Sequence, residues 1–331
     1  MRKHPRASEA ARSMLLMVMS AILGGCSAPS LLITPVSSNR ELVESELSRE
    51  STFARDKIVV IDVSGIIMNA NKPGLFASGE HPVSMLLEEL DKARMDPRVK
   101  GVLLRINSPG GTVVASELMH NEILHFRQSK KTIVAVMMDV AASGGYYIAC
   151  ACDEIIAHHA TITGSIGVIA QFVDLTGTMN MIGIQADAVT SGPMKDAGSP
   201  LRTMRPQERQ VFQDMVNEDY ERFLQVVSAG RPNLSVERVR ELADGRVYSG
   251  HQAVANGLVD RVASMREAVG AVKTRAGLEK VKLVTYHRVA DYRPNYYAAA
   301  PTRGGDMNLI NVDLSNAPWT QTPRLMYLWQ P

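Results

Sequence analysis

The chain has 331 residues, and its 36 basic and 34 acidic side chains leave a net charge of +2. This balance argues against a nucleic-acid partner. The three cysteines, Cys26, Cys150 and Cys152, are too few for a disulfide framework, and the last two lack the two-residue spacing of a zinc or redox pair. No second cysteine or histidine pair stands at ligand spacing, so we expect neither a metal nor another cofactor.

The N-terminus reads as an export signal. Basic residues from Arg2 to Arg12 precede an apolar run from Met14 to Leu23, which is too short to cross a hydrocarbon core of ~30 Å as a helix. The sequence Leu23-Gly-Gly-Cys26-Ser resembles the lipobox of bacterial lipoproteins, which implies a signal peptide over residues 1–25 and lipid on the Cys26 sulfur. The alternative is an ordinary signal peptide with an incidental cysteine.

The resemblance to lipoproteins also implies a location. A lipidated chain is anchored in the cell envelope, on the periplasmic face of a membrane. Because serine follows Cys26, the outer membrane is favoured over the inner one in a Gram-negative source. Residues 26–55 are rich in serine and proline and then in charge, which predicts a tether with room for one short helix.

From residue 56, apolar runs alternate with segments of helical periodicity. The predicted order is strand, helix, strand, helix, strand, over Lys57–Gly65, Val83–Arg94, Lys100–Asn107, Thr112–Gln128 and Lys131–Val140. This alternation predicts an α/β fold with a mostly parallel sheet, whose functional groups lie at the carboxyl ends of the strands.

Two glycine-rich turns fall at such strand ends. They are Asn107-Ser-Pro-Gly-Gly111 and Ala142-Ser-Gly-Gly145, and their glycine pairs allow a bound chain to approach the backbone closely. Ser143 stands where a strand passes into a helix-like run. Such a serine can be a nucleophile beside unpaired backbone N–H groups, or it can merely cap the helix. This stretch alone leaves both interpretations open.

The motifs together resemble a known family. Arg105-Ile-Asn-Ser-Pro-Gly-Gly111 and Ala141-Ala-Ser-Gly-Gly-Tyr-Tyr147 are similar to the bacterial signal peptide peptidases, serine peptidase family S49, of the Clp protease and crotonase fold group. Three further motifs follow in order, over 163–168, 191–200 and 243–250. The resemblance extends from about Lys57 to Tyr286. It implies a ββα superhelix with a mostly parallel sheet, as one catalytic domain over residues 56–290 with C-terminal helices.

The resemblance also assigns roles to residues. It implies that Ser143 is the nucleophile, that Lys195 is the general base and acid, and that Ser165 orients the lysine amine. The oxyanion is expected to bind the backbone N–H groups of Gly144 and Gly111, the latter preferred over Gly110. Gly110 and Gly145 are expected to bind substrate.

A lysine acts as a base only when it is neutral. Its pKa must therefore fall from about 10.4 to near 7, which requires disfavouring the charged form by roughly 4 kcal/mol. Burial is the expected cause, so the family role predicts that Lys195 is buried. The alternative is a lysine of a surface loop, as most lysines are. A carboxylate beside the amine would oppose the change, so we predict that Asp196 points away from it.

Further elements are predicted in the C-terminal half. The strands are Ile166–Phe172 and Ile184–Ser191, and the helices are Asp174–Ile182, Pro206–Gly230, Ser235–Ala243 and Met265–Ala276. Residues 291–331 lack periodicity and are predicted to be an extended or disordered tail. Aromatic residues of this tail, Tyr327 and Trp329 among them, are candidates for contact with a membrane or a neighbouring subunit.

These observations favour a membrane-anchored serine endopeptidase. The resemblance implies apolar peptides such as cleaved signal peptides as substrates, although misfolded envelope proteins fit equally. It also implies a homo-oligomeric ring, in which Ser143 and Lys195 come from one subunit or from two. The alternatives are a crotonase-like acyl-CoA enzyme, which export disfavours, and a non-catalytic scaffold or binding lipoprotein, which the complete set of Ser143, Ser165 and Lys195 disfavours.

Overall fold

The computed structural model describes residues 41–70, 81–288 and 325–329. The predicted signal peptide, residues 26–40 of the predicted tether and most of the predicted tail lie outside these residues. Within the described part of the chain, no helix is both long enough and apolar enough to cross a membrane.

A nine-stranded sheet forms the centre of the fold. Its main path runs β1-β11-β2-β3-β5-β6-β10, while β7 pairs with the end of β5 and β9 pairs with β7. Only the β1–β11 and β7–β9 pairs are antiparallel. The strands are β1 (Val43–Arg49), β2 (Asp56–Ser64), β3 (Val99–Ser108), β5 (Thr132–Ala142), β6 (Glu154–Ala157), β7 (Ile162–Gly164), β9 (Val247–Ser249), β10 (Arg261–Val262) and β11 (Val281–His287).

A second, smaller sheet has the order β4-β12-β8. These strands are β4 (Gly110–Thr112), β8 (Ile169–Ala170) and β12 (Leu325–Leu328). The helices of the described chain are α1 (Pro82–Met95), α2 (Val113–Arg127), α3 (Gly144–Ala149), α4 (Thr176–Met181), α5 (Pro206–Gly230), α6 (Val236–Leu242), α7 (Gly250–Ala255) and α8 (Met265–Ala276).

Helices cover both faces of the central sheet. Alternate residues of a strand point to opposite faces, so Leu103 packs in the cluster with α8 while Leu104 packs in the cluster with α1, α2, α3 and α5. Parallel strands buried on both faces read as continuous apolar runs. This is why β2, β3 and β5 were predictable, and the α/β class with a mostly parallel sheet is confirmed.

Helix boundaries also follow the prediction closely. The helices α1, α2 and α6 agree within one residue at each end, and α5 and α8 agree fully. Pro206 begins α5, and Gly277 ends α8 in the left-handed conformation with a φ of 66°. Proline at the first helical position and glycine just past the last one are the expected signals.

The predicted tether extends too far into the domain. Residues 43–49 form β1, an edge strand paired with β11, rather than a linker or a short helix. The buried Lys57 amine bonds the carboxylates of Glu44 at 2.7 Å and Asp96 at 2.9 Å, which ties β1 to the domain. An edge strand with charged exposed residues lacks the apolar run that identifies a central strand.

Of two strand predictions between β7 and α5, the first is confirmed only in part and the second is wrong. Only Ile169–Ala170 of the first is a strand, and residues 184–191 form none and are exposed. Strand propensity depends on a neighbouring strand and a surface to pack on, and here the single chain offers neither. Several apolar side chains in this segment are exposed, namely Met181, Ile182, Ile184, Val189, Met194 and Leu201.

The tail prediction needs a correction at its end. Residues 325–328 are extended as expected, but they form β12 between β4 and β8. Tyr327 has no exposed surface, so it lies in the core of its own chain rather than against a membrane. The pairing partners of β12 are more than 150 residues away in the sequence, and no local pattern identifies them.

Candidate active site

Ser143 lies at the junction between β5 and α3. Its φ of 53° and ψ of −116° fall in a region that residues with side chains rarely adopt. The Ser143 N–H donates to the Gly164 carbonyl at 2.8 Å, and its own carbonyl accepts from the Tyr147 N–H at 2.9 Å. Neighbouring strand and helix thus hold the strained turn in place, and such strain is concentrated at functional sites. A strand, a sharp turn carrying a serine and a helix form a nucleophile elbow.

Ser143 has the position of a helix cap, but its side chain does not act as one. Ser143 occupies the N-cap position of α3, yet its side chain accepts no hydrogen bond from the helix. Ser264, at the start of α8, shows the contrast, because its hydroxyl accepts from the Glu267 N–H at 3.3 Å. Among the described residues, the Ser143 hydroxyl has no hydrogen-bond partner. It is therefore not committed to structure and remains available for chemistry.

Side chains shape the turn between β3 and β4. The Asn107 side-chain oxygen accepts from the Val140 N–H at 3.1 Å, which joins the turn to β5. The Ser108 hydroxyl donates to the Gly65 carbonyl at 2.7 Å and accepts from the Gly110 N–H at 3.1 Å. Asn107 and Ser108 were not predicted as site residues, although an amide and a hydroxyl just before Pro-Gly-Gly are typical turn-forming residues.

The two edges of β4 differ in what they offer. On one edge, Ile67 donates to the Gly110 carbonyl at 2.8 Å and accepts from the Thr112 N–H at 2.9 Å. Successive residues of a strand direct their N–H and C=O groups to opposite edges, so the Gly111 N–H faces the other edge. On that edge Gly111 pairs with Tyr327 of β12, whereas the Gly110 N–H is bonded to Ser108 inside its own turn. Gly111 is therefore the better oxyanion donor of the two, because its N–H is directed out of the turn.

The Gly111 and Gly144 backbones meet beside the nucleophile. A Cβ on Gly144 would lie 3.1 Å from the Gly111 nitrogen, and a Cβ on Gly110 would lie 2.7 Å from the Gly144 nitrogen. Glycine at these positions permits this approach. Gly145 differs, because a Cβ there would lie 2.8 Å from the Ser108 carbonyl oxygen. The geometry thus gives Gly145 a packing contact within the chain.

Ser165 lies next to the nucleophile turn. It follows Gly164, the residue that accepts from the Ser143 N–H, and its own N–H donates to the Arg246 carbonyl at 2.8 Å. Its φ of 48° is also left-handed. The structure therefore brings two of the predicted residues together. The Ser165 hydroxyl makes no hydrogen bond within the described chain, so the predicted bond to Lys195 is absent here.

Lys195 does not have the buried position that its family role predicts. Its side chain is exposed, and it forms no ion pair or hydrogen bond with any described residue. The prediction of a buried Lys195 is therefore wrong for the single chain. The physical reason is that residues 184–199 form no strand and that residues 184–191 and Lys195 are exposed, so the loop does not remove the amine from water.

The loop that carries Lys195 is nevertheless anchored. Arg202 bonds both carboxylate oxygens of Asp196, at 2.6 and 2.7 Å, and also bonds Glu208 of α5 at 2.5 Å. Arg205 donates to the Pro193 carbonyl at 2.7 Å. The Arg202 hydrogen bonds lower the pKa of Asp196 to about 2. Asp196 thus faces Arg202 and not the lysine, in line with the prediction, and Lys195 is presented outward from a held loop.

The remaining cysteines are structural. Cys150 and Cys152 are both buried and unbonded to each other. Burial raises the pKa of the Cys150 thiol to about 12 and raises that of Cys152 as well. A neutral thiol is a poor nucleophile and a poor metal ligand, so these residues act as small apolar side chains. No group of ligating side chains suited to a metal occurs among the described residues.

Comparison with known proteins agrees with this geometry. The sequence profile of Peptidase family S49 matches residues 125–279. A protein of Enterococcus faecium, named as a candidate signal peptide peptidase SppA, is 36% identical over 248 residues, which is 75% of this chain and 71% of that protein. A candidate protease of Synechocystis is 36% identical over 260 residues, 78% of this chain and 87% of the relative.

The chain belongs to peptidase family S49. It is also 32% identical over 263 residues, 79% of its length, to a protein of Arabidopsis thaliana named serine protease SPPA, chloroplastic, of which 38% is covered. The family resemblance inferred from the motifs is confirmed. The protein is thus a serine-type peptidase of family S49, and its substrates are peptides.

The family match includes all three predicted side chains of the site. Ser143, Ser165 and Lys195 all lie within the matched residues 125–279. The turn that carries Gly110 and Gly111 lies before that stretch, and it joins the site through contacts in the fold. Membership of a peptidase family disfavours the acyl-CoA enzyme and the non-catalytic scaffold.

Proposed function

We propose that this S49 enzyme is an endopeptidase that works by a Ser143–Lys195 dyad. The strained turn that presents Ser143 beside the Gly111 and Gly144 backbones carries the proposal. The Ser143 hydroxyl attacks the peptide carbonyl, and the two N–H groups bind the oxyanion. Loss of one such donor typically costs about 2.7–4 kcal/mol of transition-state stabilisation. The neutral lysine amine takes the serine proton and gives it to the leaving amine, and water then hydrolyses the acyl-enzyme.

The lysine of each site comes from a neighbouring subunit in this proposal. Three observations support this. The Lys195 side chain is exposed, it has no hydrogen-bond or ion-pair partner in the described chain, and Arg202 and Arg205 anchor the loop that carries it. The exposed apolar residues from Met181 to Leu201 provide a surface for subunit contact. Entry into a neighbour's site removes water from the amine, which favours its neutral form.

We also propose that lipid on Cys26 anchors the enzyme to the periplasmic face of a membrane, which is the outer membrane in a Gram-negative source. The lipobox-like sequence before Cys26 supports it, and each buried CH₂ of a lipid chain contributes ~0.8 kcal/mol to anchoring. We expect radiolabelled palmitate to be incorporated into the wild-type protein in cells and not into Cys26→Ala. Equal labelling of the two proteins would contradict the anchor.

Apolar peptides, such as cleaved signal peptides, are the proposed substrates, since small and apolar residues line the turn around Ser143. The test is an internally quenched apolar peptide and a medium-chain acyl-CoA, offered separately to the full-length protein. We expect cleavage within the peptide and no turnover of the thioester. Thioester turnover without peptide cleavage would favour the crotonase-like alternative, and inertness towards both would favour a scaffold.

A further inference from the structure

Arg202 lies between two carboxylates, those of Asp196 and Glu208. Its Nε and Nη2 atoms donate to the Asp196 carboxylate at 2.6 and 2.7 Å, and its Nη1 and Nη2 atoms donate to the Glu208 carboxylate at 3.0 and 2.5 Å. The planar guanidinium group matches carboxylates in this forked way, which an ammonium group cannot do. Arg202 thus joins the residue after Lys195 to the first turn of α5.

Glu208 is the fixed end of this arrangement. Its side chain has no exposed surface, and its carboxylate also accepts from the Arg205 N–H at 3.1 Å, which caps α5. The Arg205 guanidinium lies 3.5 Å from the same carboxylate and donates to the Pro193 carbonyl. The chain is therefore held to α5 on both sides of Lys195, at Pro193 and at Asp196.

The Asp196 carboxylate is surrounded by charges of both signs. The charged side chains that bond it or its immediate partners in the described chain are Arg202, Arg205, Glu208 and, through the Thr203 hydroxyl at 3.0 Å, Asp174. The hydrogen bonds from Arg202 hold the pKa of Asp196 at about 2, so the carboxylate is ionised and paired. Lys195 bonds none of these groups.

An ionised carboxylate beside an amine favours the ammonium form and raises the pKa of the amine. The Cα atoms of adjacent residues are only about 3.8 Å apart, so Asp196 accompanies Lys195 into any site that the lysine enters. A lysine that acts as a base near neutral pH therefore requires the Asp196 charge to be bound elsewhere. Arg202 binds that charge.

We propose that Arg202 is a positioning residue for Lys195, which withholds the Asp196 carboxylate from the lysine amine and fixes the lysine loop to α5. This inference rests on the proposed function. It gives an ion pair outside the Ser143–Lys195 dyad control over the pH range in which the enzyme works.

The first test is the pH dependence of kcat/KM for an internally quenched apolar peptide, measured for the full-length protein and Arg202→Gln. The unpaired Asp196 carboxylate should raise the pKa of Lys195, so the acid limb of the profile should move to higher pH by about one unit. Activity on that limb then falls about ten-fold and recovers as the pH rises through the new pKa. KM should stay within about two-fold, because Arg202 does not bind substrate.

A second variant separates the charge from the anchoring. Arg202→Gln/Asp196→Asn removes both members of the pair, so the acid limb should return to the wild-type pH while kcat stays below the wild-type value. Arg240→Gln is the matched control, because Arg240 of α6 binds Glu221 of α5 through two bonds of 2.6 and 2.7 Å. We expect this control to leave the pH profile unchanged.

A further measurement does not depend on turnover. In the Ser143→Ala background, acetic anhydride modifies a lysine only when its amine is neutral, and mass spectrometry of the peptide that contains Lys195 follows the rate against pH. We expect this profile to give a Lys195 pKa about one unit higher when Arg202→Gln is added.

The inference is overturned if the acid limb stays in place in Arg202→Gln, or if activity falls equally at every pH, since Arg202 is then only a structural residue. Failure of the double variant to restore the acid limb also overturns it. Full activity of Lys195→Ala would instead contradict the proposed dyad. The acetylation profile would then decide separately whether Arg202 lowers the pKa of the Lys195 amine.

Discussion

Replacing Ser143 with alanine should lower kcat/KM for an apolar peptide by at least about 10⁴-fold, because removing a nucleophile leaves only binding and oxyanion stabilisation. The fold should persist. The strained φ of 53° is imposed by the bond to Gly164 and by α3, and alanine bears that strain about as well as serine does. The measurement is steady-state cleavage of an internally quenched peptide, with thermal unfolding followed by circular dichroism.

Ser264→Ala is the matched control for this substitution. Both serines precede a helix, but only the Ser264 hydroxyl accepts a bond from its helix. We expect Ser264→Ala to lose about 1 kcal/mol of stability, as N-cap removal typically does, with full activity. A Ser143→Ala protein that is unstable but still cleaves peptide at a tenth of the wild-type rate would contradict the assignment. Ser143 would then be a helix cap, and another group would be the nucleophile.

Replacing Lys195 with alanine should also abolish cleavage, and mixing should then restore it. In a mixed oligomer, a Ser143→Ala subunit provides Lys195 but no nucleophile, and a Lys195→Ala subunit provides Ser143 but no base. In a ring with head-to-tail contacts, random assembly of equal amounts completes about a quarter of the sites. We therefore expect co-expressed variants, purified as mixed oligomers through two different tags, to recover up to about a quarter of wild-type activity.

The matched control pairs Ser143→Ala with the double variant Ser143→Ala/Lys195→Ala, which contains no nucleophile and should stay inactive. No recovery in the first mixture, with mixed oligomers demonstrated by both tags, would place Ser143 and Lys195 in one chain. Lys195 would then have to reach Ser143 by movement of the loop that Arg202 and Arg205 hold.

The parts of the fold that could be predicted are those with a local signal. The central strands are buried on both faces and read as apolar runs, and the helices carry periodicity with proline and glycine at their ends. The neighbouring positions of Ser143 and Ser165 followed from family motifs, and the paired ends of β5 and β7 explain them physically.

The parts that could not be predicted depend on partners far away in the chain. β1 is a charged edge strand that pairs with β11, and β12 pairs with β4 and β8. Lys195 shows a further difficulty. Its motif identifies the residue. Its environment depends on what packs against an exposed loop, and the sequence of residues 184–199 does not indicate that packing partner.

Helix α5 connects the lysine loop with the packing behind the nucleophile turn. Its first turn holds Glu208, which binds the Arg202 that anchors the Lys195 loop. Farther along it, Phe223 packs against Tyr147 of α3, the helix that begins at the Ser143 turn. A separation of fifteen positions corresponds to about 22 Å of helix axis. One continuous helix therefore contacts both parts of the proposed dyad, and we expect a substitution that shifts α5 to disturb the two together.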